Sequence, residues 1–576
     1  MDTLIRCIQT SAYFDSINRP RDLIKTAADL GLCGIALTDH ETVAGHIDFL
    51  NSEKELKEAG LIPQDFKCAC GNEIYLVDDR ENIERYWHYI LIAKNTEGHK
   101  ALRELSSIAW YNGFSSRGMM RVPTEKKELE MIVKKYPNTI IASSACLGSE
   151  LDHFVVELCK EERKKIPDEN LIYQWKSKID KWIRWNIDLF GDDFYLELQA
   201  GTSKDQIMFN ERIWSIAAAY NVKLILTSDA HYLTTKERPV HKAYLNSKDG
   251  EREVDEFYES AHLMTNEEAF ANLEKAGYFK EQFNIICNNT MDIYNKIENY
   301  ELGHKPIIPE VQVTNYPKKE VQLDIAPTLT QLFKSDNIQE RAWINMCWDS
   351  MIEKRLDQKE NYVKRLEIEA DIISSLSKKI GDCLYKYFNT FQHYIDLFWA
   401  CDSMVGPGRG SSGAFLSNYL LGITQADPIK FGFPEWRFLN KEKVELPDID
   451  IDLTPSRRQM IFDAIRKERG ELNLVQVCTY GTEGTRSAIA AACRGYRSEE
   501  YPEGIDVDTS QYLSSLIPQE RGFLWPIKDA IEGNEEKGRK PIQALINELD
   551  KYPGLLEIIQ SIEGLKRKLA LKHLFH

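Results

Sequence analysis

Short β-rich runs recur over residues 1–275, interspersed with amphipathic helical stretches, and this alternation limits the possible fold more than any other feature. The runs are GIALTDH, HYILIAK, NTIIASSACLG, DFYLELQA and VKLILTSDAHY; PRDLIKTAADLGL and QIMFNERIWSIAAAYN typify the helices. Strand and helix in alternation predict a parallel sheet or barrel. Polar residues close these strands: Asp39 and His40, Cys146, Asp229 and His231. Carboxyl ends of strands are where α/β folds build sites. At 576 residues the chain exceeds one core, and roughly 100–200 residues per domain predicts about three or four domains.

Later segments change character. HKPIIPEVQVTNYPKKE reads as a connector, residues 330–400 as charged helices, and residues 480 to the end as mostly helical. The closest cysteine pair, Cys68 and Cys70, lacks a second pair at zinc-site spacing. With 12 cysteines in all, reduced thiols are expected. The net charge of −17 argues against a histone-like coating of DNA. It does not exclude a nucleic-acid enzyme, because binding depends on a local basic groove. No apolar run is long enough to span a membrane. The opening MDTLIRCIQT lacks a basic region and apolar core, so a cytoplasmic setting is expected.

Two stretches carry chemistry. VGPGRGSSGAFLSNYLLG is a glycine-rich turn that reads as opening a helix. Glycines let backbone approach a ligand, a helix N-terminus attracts phosphate, and Arg409 adds a forked cation. Ser411 and Ser412 are candidates to cap the helix and to donate to phosphate oxygen. Then VELPDIDIDLTPSRRQ sets Asp448, Asp450 and Asp452 at every second position. In a strand these carboxylates share one face and repel unless a cation joins them; hard Mg²⁺ is the usual partner. Taken alone, the first is also a plain capped turn and the second also a solvated edge strand. Together they are the parts of metal-assisted phosphoryl or nucleotidyl transfer.

The run from VGPGRGSSG through RFLNKEK to PDIDIDL resembles the palm of bacterial C-family replicative polymerases, the DNA polymerase III alpha family, and VQVCTYGTEGTRSAI resembles the segment that follows. The resemblance implies a nucleotidyltransferase-like palm with an inserted helical thumb. It implies that Asp448 and Asp450 are catalytic and bind two Mg²⁺ ions. Gly410 and Ser411 would hold the nucleotide phosphates, and Arg409 would neutralise them. Arg437 and Arg458 are further phosphate candidates. Asp452 is in place but is not a required ligand of the family pattern.

The family begins with a PHP domain, a distorted β/α barrel with a multi-metal site. IALTDHETVAG, CGNEIYLV, HYILIAKN, SSACLGSEL, FYLELQ and TSDAHYL resemble it in order. Seven positions match its ligands: Asp15, His40, Glu73, His88, Cys146, Asp229 and His231. Such a mixed set suits zinc, manganese or iron. The family's opening His-x-His falls on Arg6 and Ile8, so at least one metal position is expected to be lost.

The expected layout is a PHP domain over 1–275, a connector over 276–310, palm over 311–479, thumb over 480–557 and a return to palm over 558–576. IEGLKR resembles the family's LEGLxR, which precedes a third palm aspartate, and no DFLGL-like strand follows it in this sequence. The resemblance therefore implies a DNA-directed DNA polymerase acting in replication on primer-template DNA and deoxynucleoside triphosphates. A second polypeptide with the fingers and third aspartate is expected, beside other replisome components, in a bacterial cell or infected host. Two alternatives stay open: a PHP-type metal-dependent phosphoesterase or exonuclease, and a non-catalytic replisome- or DNA-binding protein.

Overall fold

The computed structural model describes residues 16–116, 119–247, 256–304, 307–470, 473–474 and 479–570. Asp15, Arg6 and Ile8 lie outside the described residues. Two compact units emerge: one joins Met1–Gly303 to Tyr480–Ala570, and the other is formed mainly by His304–Thr479.

The first unit is built on a seven-stranded sheet. Its main path runs Gly34–His40, Lys67–Val77, Trp87–Ala93, Ile140–Ser143, Phe194–Gln199 and Lys223–Thr227, with Thr124–Glu125 beside the end of the second strand. The strands are buried almost throughout, as expected of a sheet covered on both faces. The expected parallel sheet or barrel carries one reversed strand. Trp87–Ala93 pairs antiparallel with both Lys67–Val77 and Ile140–Ser143. The link from Val77 to Trp87 holds no helix, so the chain turns back beside the strand it has just left. That reversal brings the start of the Trp87–Ala93 strand, with His88, to the edge where the parallel strands end.

Side-chain alternation divides the sheet between two cores. Ile74, Leu76, Tyr89 and Leu91 pack on one face under the Thr96–Tyr111 and Glu169–Phe190 helices. Ile90, Ile92, Ile141, Tyr195 and Ile225 pack on the other. The expected connector from residue 276 begins with a helix, Lys280–Lys296, whose Phe283, Ile286, Cys287 and Ile293 are fully buried in these cores. Lys67 Nζ donates to the Tyr294 and Ile297 carbonyls at 2.9 and 2.7 Å and fixes this helix to the sheet. Its apolar residues recur every three or four positions, a helical stripe hidden among asparagines and a lysine-rich start.

The segment expected as an inserted thumb folds as helices Thr485–Gly495, Val507–Ser515, Ile527–Glu532, Gln543–Leu549 and Leu555–Ile562. Ala488, Ile489, Ala492 and Cys493 share a core with Tyr232, Val240, Ala243 and Tyr244 of the barrel side. The closest approach is at Gly495, where a Cβ would lie 1.8 Å from the Ala243 carbonyl oxygen. No side chain fits against immobile backbone at that distance.

The second unit is a helical assembly of Pro327–Lys334, Ile338–Glu353, Glu360–Ile380 and Tyr385–Ala400. Trp343, Leu366, Tyr385, Phe388 and Phe415 fill its centre. The chain then enters the glycine-rich loop and the aspartate segment.

Gly495→Ala is expected to lower the unfolding free energy by about 1–3 kcal/mol through overpacking. Denaturant midpoints measure it; wild-type stability would show that the two helices do not meet this closely.

Candidate functional site

In the second unit the aspartates sit on extended backbone rather than on a sheet strand. An isolated antiparallel bridge, Val405 to Leu453, a Gly406 N–H to Asp452 carbonyl bond of 2.9 Å, and bonds from Met404 N–H to Thr454 Oγ1 and from Thr454 N–H to Ser403 Oγ tie this segment to the stretch that carries the glycine loop. Alternation nevertheless holds: Pro447 and Ile449 are buried while Asp448, Asp450 and Asp452 are exposed. Contact and backbone conformation favour the glycines. A Cβ at Gly406 would lie 2.9 Å from Asp452 Cβ, and one at Gly410 would lie 3.2 Å from an Asp450 carboxylate oxygen. Gly408 and Gly410 also take φ of +117° and +65°. Arg409 reaches across, with Nη1 3.2 Å from Asp452 Oδ1 and Nε 3.7 Å from Asp450 Oδ2. The half-exposed guanidinium and carboxylates leave this pairing open to exchange with solution ions.

The helix expected after the loop is short, Leu416–Leu420, preceded by a tight turn over Ser412–Ala414. Its N-terminal donors are already taken. Buried Glu369 accepts from the Leu416 and Ser417 N–H groups at 2.6 and 2.8 Å. Ser412 donates inward to the Arg409 carbonyl at 2.9 Å and caps no helix. The helix-terminus phosphate site foreseen from sequence is therefore replaced by an internal carboxylate. What remains for an anion is the loop around Gly410 with Arg409. Burial raises the Glu369 pKa, against the pull of Arg365, whose Nε donates to it at 2.9 Å. Arg365 also donates to the Ala414 and Phe433 carbonyls, so one guanidinium holds the loop's exit and the approach to Arg437.

Arg437 is exposed at the end of the Glu435–Arg437 turn, and Arg458 begins the Arg458–Arg469 helix with its guanidinium 5.1 Å from the Phe462 ring. Sequence reading missed Tyr387. Burial, and then the Asp448 carboxylate, push its hydroxyl well above the ordinary tyrosine range.

In the first unit, a mixed set of ligand types gathers at one sheet edge. Register sets His40 opposite Glu73. Glu73 Oε1 lies 2.7 Å from His88 Nδ1 and Oε2 lies 3.6 Å from His40 Nδ1; Cys146 Sγ is 3.3 Å from His88 Nδ1. A Cβ at Gly148 would come within 2.8 Å of the His88 ring, so only glycine lets that loop pass. His231 Nδ1 lies 2.9 Å from the Asp229 carbonyl; a carbonyl only accepts, so the proton is on Nδ1 and the lone pair on Nε2. Asp229 and Ala145 hold φ of +42° and +63°, strain of the kind that functional sites retain.

Glu197 was not foreseen, although FYLELQ shows a charge inside an apolar strand. It is buried, accepts from Thr227 Oγ1 at 2.7 Å and from Ser143, and lines one cavity with Glu73, Cys146 and Asp229. Burial pushes Glu73 to about 8 and Glu197 to about 7. Burial first, then Asp229 and Glu73, raise the Cys146 thiol. Without a cation burial favours their protonated forms; a divalent ion would let them ionise together. Imidazole, carboxylate and thiol donors at these separations fit such an ion.

The pH consequence has a definite sign. Glu73 ionises near 4.5 unfolded and near 8 folded, so the native state binds more protons in between. Stability is full below 4.5 and falls as pH rises toward 8. In chelator, the melting temperature is expected to fall over this window less steeply in Glu73→Gln than in wild type, and a divalent ion should remove most of the wild-type slope. Equal slopes in both proteins would refute the role given to Glu73.

Family models match in two places: "Bacterial DNA polymerase III alpha NTPase domain" over residues 341–573 and "PHP domain" over residues 8–201. The chain is 38% identical over 576 aligned residues to a protein of Bacillus phage SPbeta named DNA-directed DNA polymerase, covering 96% of this chain and 43% of that one. It is 29% identical over 585 aligned residues to DNA polymerase III subunit alpha of Aquifex aeolicus (strain VF5), covering 96% and 45%. Among solved structures, an amidohydrolase from Chromobacterium violaceum matches at 14% identity and a TM-score of 0.19, over 40% of this chain and 87% of that one. The chain spans less than half the length of the curated relatives named here. Two models that together match most of the chain, and relatives aligned over 96% of it, make this chain similar to the bacterial DNA polymerase III alpha family, with the PHP match ahead of the alpha NTPase match.

Proposed function

We propose that this chain carries the nucleotide-binding and catalytic carboxylates of a DNA-directed DNA polymerase acting in replication. The observation that supports it most is the close seating of the Gly406–Gly410 loop against Asp450 and Asp452, with Arg409 between them. Asp448 and Asp450 would hold two Mg²⁺ ions. When bound, these ions would acidify a primer 3′-hydroxyl and stabilise charge in displacement at the α-phosphate. Arg409, now paired with carboxylates, would turn to the triphosphate. The backbone of Gly410 and Ser411 would approach the phosphates where a side chain at 410 would crowd Asp450, and where φ of +65° favours glycine. Arg437 and Arg458 would add positive charge along the same segment. Asp452 would orient Arg409. Primer-template DNA and deoxynucleoside triphosphates are the substrates of this reading; a second polypeptide with a further carboxylate, and replisome components, are its partners. The domain reading that goes with it is PHP barrel, palm and helical thumb.

A second reading is favoured by the Glu73 set: a metal-dependent phosphoesterase, with zinc or manganese held by His40, Glu73, His88, Cys146, Asp229, His231 and, added here, Glu197. Convergence of these buried donors supports it.

Primer extension with Mg²⁺ and four deoxynucleotides tests the first reading. Asp448→Asn and Asp450→Asn should each lower extension on the order of 100-fold, the usual cost of losing a group that stabilises charge in the transition state. Equal extension by variant and wild type would exclude these aspartates. Phosphodiester hydrolysis with Mn²⁺ separates the second reading: it should survive Asp450→Asn and fail in His88→Gln.

A further inference from the structure

The second buried cluster in the barrel unit belongs to neither proposed site. Cys70 lies on the Lys67–Val77 strand three residues before Glu73, so the two side chains leave opposite faces of the sheet. On the Cys70 face, the His46–Glu58 helix brings His46 and the Thr96–Tyr111 helix brings His99. The three residues are between 0% and 4% exposed. One donor atom from each lies within 4.8 Å of the others, and His46 Nδ1 is 3.0 Å from His99 Nε2.

The tautomer of His46 is fixed. Its Nε2 is 2.8 Å from the Gly71 carbonyl, which only accepts, so Nε2 carries the proton and the Nδ1 lone pair faces His99. An imidazole that donates from one nitrogen to a backbone carbonyl and offers the other inward is the usual posture of a metal ligand. Two imidazoles and a thiol are a donor set that zinc prefers. Tetrahedral bonds of about 2.0–2.3 Å put ligand atoms roughly 3.3–3.8 Å apart, so the nitrogen pair needs to open by only a few tenths of an ångström.

We infer that His46, Cys70 and His99 bind one zinc ion. Glu53, seven residues after His46 on the same helix, accepts from Lys57 Nζ at 2.7 Å and is not one of the three converging donors. Burial, and then Glu53, raise the Cys70 thiol well above its ordinary value, so without a cation it stays protonated. On binding, the Cys70 thiol releases one proton to solvent. His99 moves its proton from Nε2 to Nδ1, and both imidazoles remain neutral. Zinc with one thiolate and two neutral imidazoles carries one net positive charge. The ion clamps two helices to the second strand of the sheet, and the burial of all three ligands makes it structural. Both the polymerase and the phosphoesterase reading can fail without affecting it.

The test uses the full chain in a Cys146→Ser background, which removes the thiol of the Glu73 set. Cobalt replaces zinc and reports a thiolate ligand through its near-ultraviolet charge-transfer band. The band should appear at one equivalent and disappear when Cys70→Ser is added. Its absence from Cys146→Ser protein overturns the proposal. Should the Cys70→Ser protein fail to fold, X-ray absorption of zinc-loaded Cys146→Ser decides: one sulfur and two imidazoles support the site, and oxygen and nitrogen alone overturn it.

Discussion

The buried pair Arg365–Glu369 governs the second unit. Glu369 is fully buried and spends its carboxylate on two backbone N–H groups and one guanidinium. Arg365 Nη2 donates to the carbonyls of Ala414 and Phe433, and Nη1 pairs with Glu435 at 3.3 Å. Breaking such a pair by removing one partner costs about 3–5 kcal/mol, because the other charge is left in the core. The pair therefore fixes where the glycine loop ends and where the Glu435–Arg437 turn begins. Between those anchors, the loop and the aspartate segment are joined by one bridge, a few hydrogen bonds and the half-exposed Arg409 pairs. A rigid frame around a lightly held, solvent-facing set of charges suits a site that must exchange ions and phosphates.

The first unit applies the opposite policy to its carboxyls. Glu73, Glu197 and Asp229 are buried together; burial raises Glu73 and Glu197, and a shared cation would offset that. The geometry around them is costly: positive φ at Asp229 and Ala145, and a glycine pressed on His88. Such strain persists only where the surrounding packing over-determines it. Here that packing is the doubly covered sheet, whose two cores split odd from even residues along the Trp87–Ala93 strand.

Much of this was legible in the chain. Strand runs ending in polar residues located the sheet edge, and the Asp448–Asp452 alternation survives on backbone that forms no ladder. What was hidden depends on pairing and packing. Nothing local marks Trp87–Ala93 as antiparallel, yet that reversal delivers His88. Glu197 was visible as a lone charge in FYLELQ, but only the fold shows it facing Glu73. The loop's helix terminus reads as a phosphate site until Glu369, 47 residues earlier than Leu416, fills it. His46 and His99 are 53 residues apart and meet only through helix packing.

Nucleotide binding by the glycine loop is the central claim, and it can be measured without turnover. Titrating a fluorescent deoxynucleoside triphosphate into the chain, with and without Mn²⁺, isolates it. The account predicts binding that depends on the ion and is lost in Asp450→Asn and in Arg409→Ala. Binding of equal affinity in both variants, or without the ion, would contradict it.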